Sequence, residues 1–144
     1  MRQAEAPKAE GPAMEFSFPW PMSQGEWLAW SSAAVTALIG LFFFLAPGLA
    51  FRAVRLQANP EKPEALAEGR SRIAGFYLGL GLTCLLLAQP LLYMALGISW
   101  AFSAFGRLLG MMSDGANTPY NWAALVIDLA LAALPLAFAF GFVP

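Results

Sequence analysis

The sequence predicts an all-α membrane protein, a four-transmembrane-helix bundle with an extended N-terminal tail. Three observations carry that prediction. No charge interrupts the 25 residues Trp27–Phe51 or the 34 residues Ile73–Gly106. From Ile73 to the last residue the charges are Arg107, Asp114 and Asp128. The 144 residues are 59% hydrophobic and only 12% charged, whereas a soluble domain carries about 25% charged residues. A domain of this size still needs a polar surface in water. Lipid is therefore the expected solvent, and a helix is the element that satisfies its own backbone there.

Residues 1–26 form the tail. The tail mixes two basic with four acidic residues and includes Pro7, Pro12, Pro19 and Pro21. Such a composition predicts partial disorder from Met1 to about Met14, and an apolar core this far from the start is not an ordinary signal peptide. Phe16, Phe18 and Trp20 suit the headgroup zone, where amphipathic aromatics collect. A loosely packed linker is the other reading of that stretch.

The transmembrane domain is expected over 27–142, with spans at about 27–51, 73–89, 91–112 and 122–142. The first is long enough to cross with some tilt, and Pro47-Gly48 bends or ends its last part. The loop Arg52–Arg72 follows, with turn chemistry at Asn59-Pro60 and Pro63. Gln89-Pro90 is the best break in the next apolar run. Without it, the forty residues from Ile73 to Met112 would make a helix of about 60 Å, twice a hydrocarbon core of about 30 Å. Asp114-Gly115, Asn117, Pro119 and Asn121 mark the last loop. Pro135 lacks an N–H, frees the carbonyl of Leu131 and favours a kink in the fourth span.

Five of the eight basic residues, Arg52, Arg55, Lys62, Arg70 and Arg72, lie in the first loop. The positive-inside rule then places that loop and the Asp114 loop in the cytoplasm and both termini on the non-cytoplasmic side. The expected location is a bacterial inner (plasma) membrane, crossed several times.

Composition excludes several chemistries. There is no histidine, so histidine-ligated haem, His-containing zinc sites and a Ser-His-Asp triad fall away. Glycines sit inside apolar spans rather than in a phosphate-binding loop. The net charge of −1 offers no nucleic-acid footprint. Cys84, the one cysteine, reads as a small core hydrophobe. Neither a cofactor nor a bound metal is expected.

Small residues at four-residue spacing let helices approach closely in lipid. Gly75 and Gly79, continued by Thr83, form one such face, and Gly106 and Gly110 form another. Arg107 and Asp128 are the sharpest pair. A short loop makes the third and fourth spans antiparallel neighbours, which puts both side chains near the same end. They form either a buried ion pair fixing register or, at Arg107, an anion site; a proton relay through Asp128 is the third reading. Arg70 and Arg72 stand at the same membrane face as candidate headgroup contacts.

Glu68, Arg70 and the run Ala74-Gly75-Phe76-Tyr77-Leu78-Gly79-Leu80-Gly81, with Phe105-Gly106-Arg107-Leu108-Leu109-Gly110 and Asp114-Gly115, form a recognisable set. Together they resemble a family of small bacterial four-helix integral membrane proteins described only as a domain of unknown function. Arg70, Gly75, Gly79, Gly81, Gly106, Arg107, Asp114 and Gly115 match its pattern. Ala74 stands where a glycine is usual, and Ile73 where an aromatic is common. The resemblance covers roughly Trp27 to Phe142. It implies a fold and a membrane location, and no established reaction.

Two functions compete. One is a non-enzymatic accessory or scaffold protein, part of a larger membrane assembly, whose partners are membrane lipids and another integral membrane protein. The other is a lipid- or small-molecule-binding protein or transporter component using the cytoplasmic-side arginines. An enzyme acting alone is third, because no nucleophile and base are paired.

Overall fold

The structure, a computed structural model, describes residues 17–144. The expectations for Met1–Met14 and for Phe16 lie outside those residues. The fold is all-α. Helix α1 is Gln24–Leu45, α2 is Pro47–Ala53, α3 is Glu64–Glu68, α4 is Ala74–Leu87, α5 is Pro90–Ser113 and α6 is Pro119–Ala139. A wider π-type turn, Gly69–Ile73, joins α3 to α4. Helical backbone continues through Gly69 and Ala74, so the chain does not break there.

Local chemistry explains these boundaries. Ser23 caps α1 by accepting from the Glu26 N–H at 3.2 Å, and the Glu26 carboxylate accepts from the Met22 N–H at 2.9 Å. This arrangement closely resembles a capping box. Ala46 interrupts the helix ahead of Pro47, which opens α2 at a position where a missing N–H costs nothing. The first apolar run is thus two helices, α1 and the short α2. Ala88 ends α4 in the left-handed region, at φ 49°, and Pro90 opens α5. Thr118 caps α6 through the Asn121 N–H at 3.3 Å.

Among the described residues three helices, α1, α5 and α6, are long and apolar enough to cross a membrane. At 22, 24 and 21 residues, each reaches or exceeds the about 30 Å of a hydrocarbon core. Helix α4 has 14 residues, about 21 Å by itself. The outer faces carry exposed Leu38, Leu45, Phe76, Phe102 and Val126. In water such a surface would aggregate; in lipid it is the solvated surface.

The helices pack in the order α4, α1, α6, α5. Between α1 and α4 the contact is close. A Cβ added to Gly81 would stand 2.7 Å from the Ala37 backbone nitrogen, and one added to Gly40 would stand 2.5 Å from that of Leu78. Ala29, Ala33 and Ala37, all buried, continue that stripe on α1. Between α5 and α6, Gly97 lies against Leu136 and the Ala132 carbonyl. These glycines, with Gly25 against Phe138 and Gly69 against Phe51, are the tightly packed ones among the described residues. Gly75, Gly79 and Gly106 are not among them: a Cβ at any of the three would meet nothing within 4 Å, and one at Gly110 only the Asp114 carboxylate at 3.5 Å. The four-residue repeat on α4 exists, but it faces away from α1.

Pro135 sits inside α6, and the Leu131 carbonyl it frees accepts a 2.7 Å hydrogen bond from the buried Ser32 hydroxyl of α1. Thr36 donates to the Ser32 carbonyl at 2.8 Å, and the Trp100 indole of α5 donates to Thr36 at 2.9 Å. Three helices are joined at mid-bundle by this chain. Near the start of α1, Trp20 stacks on Trp30 at 6.3 Å and Trp27 meets Trp30 at 5.6 Å.

The two glycines on opposite faces of α4 should separate in experiment. Gly81→Ala should destabilise by about 1–3 kcal/mol through overpacking. Gly79→Ala, which enters open space, should be neutral or stabilising by up to about 1 kcal/mol from helix propensity. Thermal unfolding in detergent measures both, and equal losses would show that the packing faces are misassigned.

Candidate functional site

Two features stand out, an ion-pair network at one end of the bundle and a groove beside it. Arg107 and Asp128 are brought together. The Arg107 Nε donates to Asp128 Oδ2 at 2.9 Å, across the α5–α6 contact. Its Nη1 donates to Asn121 Oδ1 at 3.0 Å, and Asn121 Nδ2 donates to the Ala116 carbonyl at 2.8 Å. Ser103, one turn from Arg107, adds a longer 3.4 Å contact to the same Oδ2. The Asp128 side chain is 6% exposed and that of Arg107 28%. A carboxylate this buried requires a counter-charge. The network therefore clamps α5, α6 and the intervening loop into one register.

Arg70 and Arg72 stand elsewhere at that end. Arg72 pairs with Glu68 at 3.1 Å, on an exposed surface where such pairs stabilise little. Arg70 borders a shallow hollow with Pro63, Leu66 and Ala67. No hydrogen bond or ion pair joins either arginine to the Arg107 network among the described residues. Arg55, just beyond α2, lies over the Tyr120 ring at 4.5 Å, so the first loop and the α5–α6 loop share one end of the molecule.

The groove lies between α4 and α5, which touch little. Its volume is about 700 Å³. Gly75, Gly79 and Thr83 form one wall, Ser99 and Ser103 the other, and Tyr77, Trp100 and Thr36 line its depth. The glycines, Thr83 and Ser99 are exposed while Trp100 and Thr36 are buried, so the groove opens sideways. Tyr77 packs against Trp100 at 5.6 Å between centroids. Most of the lining is apolar, with a few polar atoms, the character of a ligand cleft.

Sequence reasoning missed Tyr77, Trp100, Thr36 and Asn121. Asn121 had a detectable signal: it sits seven residues before Asp128, on the same face of α6, and Ser103 sits four before Arg107. Tyr77 and Trp100 gave none, because an aromatic in an apolar span has no polar partner to betray its position. Among the described residues no three His, Cys, Asp or Glu side chains come together to hold a metal ion.

An all-α fold with three such helices is that of a small multi-pass helical membrane protein. The chain belongs to the family described as Domain of unknown function (DUF4345), whose model matches residues 25–139. The match covers α1 through α6. No curated protein and no solved structure matches the chain.

Breaking the clamp one side at a time should be unequal. Arg107→Gln leaves the Asp128 carboxylate buried and should cost about 3 kcal/mol. Asp128→Asn should cost less, because Arg107 keeps Asn121 and can extend its head toward the loop end. The double neutral variant should be more stable than Arg107→Gln alone. A double-mutant cycle on unfolding reads the coupling, and additive effects would show that the two charges do not act as a pair.

Proposed function

We propose that the chain is a four-span, non-enzymatic accessory protein of a bacterial inner membrane. It holds a lipid or apolar small molecule, taken laterally from the bilayer, in the α4–α5 groove. The groove is the observation that carries this reading. A sideways opening toward lipid suits a ligand already dissolved there. The absence of a metal-binding cluster among the described residues and the internal pairing of Arg107 with Asp128 argue for holding a molecule rather than transforming it.

The fourth span is α4. Its length is short for a bilayer, but the π-type turn and α3 extend the same helical run outward, carrying Glu68, Arg70 and Arg72 into the headgroup zone. Arg70 is the exposed candidate there for lipid phosphate, and Arg72 is already paired. The basic first loop faces the cytoplasm. The start of α1 and the end of α6 then lie on the non-cytoplasmic side, with Phe18 and Trp20 at the interface.

A second reading has its own support. Gly75, Gly79 and Thr83 present a small-residue face with nothing packed on it, which is what a transmembrane helix of a partner would use. The protein would then be an accessory subunit of a larger assembly.

Two measurements test these claims. After gentle detergent extraction, native mass spectrometry should find bound lipid on the wild-type chain. Gly79→Leu, which puts a side chain into the groove, should lose it. A stoichiometric protein partner lost in the same variant would favour the second reading. For topology, single cysteines in a Cys84→Ala background should be labelled from outside the cell just before α1 and not in Arg52–Arg72. The opposite pattern would invert the orientation.

A further inference from the structure

The groove is uncharged, and almost every hydroxyl proton in it is already committed. Thr36 donates to the Ser32 carbonyl, Thr83 to the Gly79 carbonyl at 2.6 Å, and Ser99 to the Ala95 carbonyl at 2.7 Å. Ser103 points its hydroxyl at Asp128, and Ser71 makes a long contact to the Glu68 carbonyl at 3.5 Å. The Trp100 indole is taken by Thr36. Tyr77 is the exception. Tyr77 lines the groove, and its phenol makes no hydrogen bond to the described residues, although Asp128 and Arg107 are the charged groups that act on it. A phenol within a span, away from water, calls for an acceptor. Among the described residues no cation lines the groove to receive an anionic group: Arg107 is engaged by Asp128 and Asn121, and Arg70 borders the separate hollow beside Pro63 and Leu66. A bare charge held there would be costly.

We infer that the groove binds an uncharged amphiphile that carries a carbonyl, with the Tyr77 hydroxyl donating to that carbonyl and the apolar chain lying along Gly75 and Gly79. This rests on the proposal that the groove is a ligand site, and it narrows the ligand class. A neutral glycerolipid ester and a prenylated quinone share this chemistry. Anionic phospholipid has the ester carbonyl but also a phosphate, and no cation among the described residues lines the groove to receive that charge. The glycines suit the chain for a physical reason: with no Cβ they leave a smooth channel open to the bilayer.

The test compares the full chain with Tyr77→Phe and Gly79→Leu in detergent micelles. The probes are dioleoylglycerol, a prenylated quinone and dioleoylphosphatidylglycerol, each with a ¹³C-labelled carbonyl where the probe has one. The expected result is that at least one neutral probe binds more tightly than phosphatidylglycerol, and its carbonyl stretch moves to lower frequency on binding. Whichever neutral probe does so identifies the source. Tyr77→Phe should weaken that binding about threefold to tenfold, the worth of one neutral hydrogen bond, and abolish the frequency shift without lowering the melting temperature. Gly79→Leu should abolish binding of every probe. If Tyr77→Phe changes neither affinity nor frequency while Gly79→Leu still blocks binding, the carbonyl assignment is overturned and the groove survives as a ligand site. Phosphatidylglycerol binding more tightly than both neutral probes would also overturn the assignment. If Gly79→Leu binds as well as wild type, the groove itself is not the site.

Discussion

One unsatisfied backbone carbonyl organises the middle of this bundle. Pro135 cannot donate to Leu131, and a bare carbonyl in lipid costs several kcal/mol. The Ser32 hydroxyl answers it at 2.7 Å. That fixes the height of α1 against α6, because a hydroxyl reaches only one carbonyl. Thr36, one turn further along α1, then binds the Ser32 carbonyl and receives the Trp100 indole. Helix α5 is set in turn. Apolar surface alone could not do this, since lipid solvates leucine as well as another helix does.

The second constraint lies at the loop end. Arg107 ties α5 to α6 through Asp128 and to the loop through Asn121. The mid-bundle hydroxyl chain fixes translation along the helices, and the charged clamp fixes the α5–α6 hairpin where the loop would otherwise fray. Helix α4 takes part in neither. It is held by close approach to α1, at Gly81 on Ala37 and Gly40 on Leu78. One face is therefore committed, and its other face is left to the groove.

How much of this was legible beforehand depended on whether a residue's role is local. The turn at Gln89-Pro90 and the interruption at Pro47 follow from backbone chemistry that the sequence states directly. The proximity of Arg107 and Asp128 followed from counting residues from a short loop. Face assignment was different. Gly75-x3-Gly79 and Gly81 with Gly40 look alike in sequence, because a glycine that admits a neighbouring helix and a glycine that leaves a channel are the same residue. The buried alanines Ala29, Ala33 and Ala37 carry the packing of α1, with Ala37 against Gly81 of α4, and in a sequence rich in alanine they did not stand out. The family resemblance marked Gly75, Gly79 and Gly81 alike without separating their faces.

The groove persists because its two walls are held apart. Tyr77 and Trp100 meet ring to ring between α4 and α5, and neither ring can collapse inward. Trp100 is pinned by Thr36, and Thr36 by the Ser32 carbonyl. Tyr77 belongs to a helix whose position is set by close contacts with α1, and its own Cβ takes part in one of them, at Gly40. Without a ring at either position, α4 and α5 could close over Gly75 and Gly79 and bury them. The opening beside α4 thus traces back through Trp100, Thr36 and Ser32 to the proline in α6. A backbone defect at one position and a ligand-sized cleft at another belong to the same hydrogen-bonded chain.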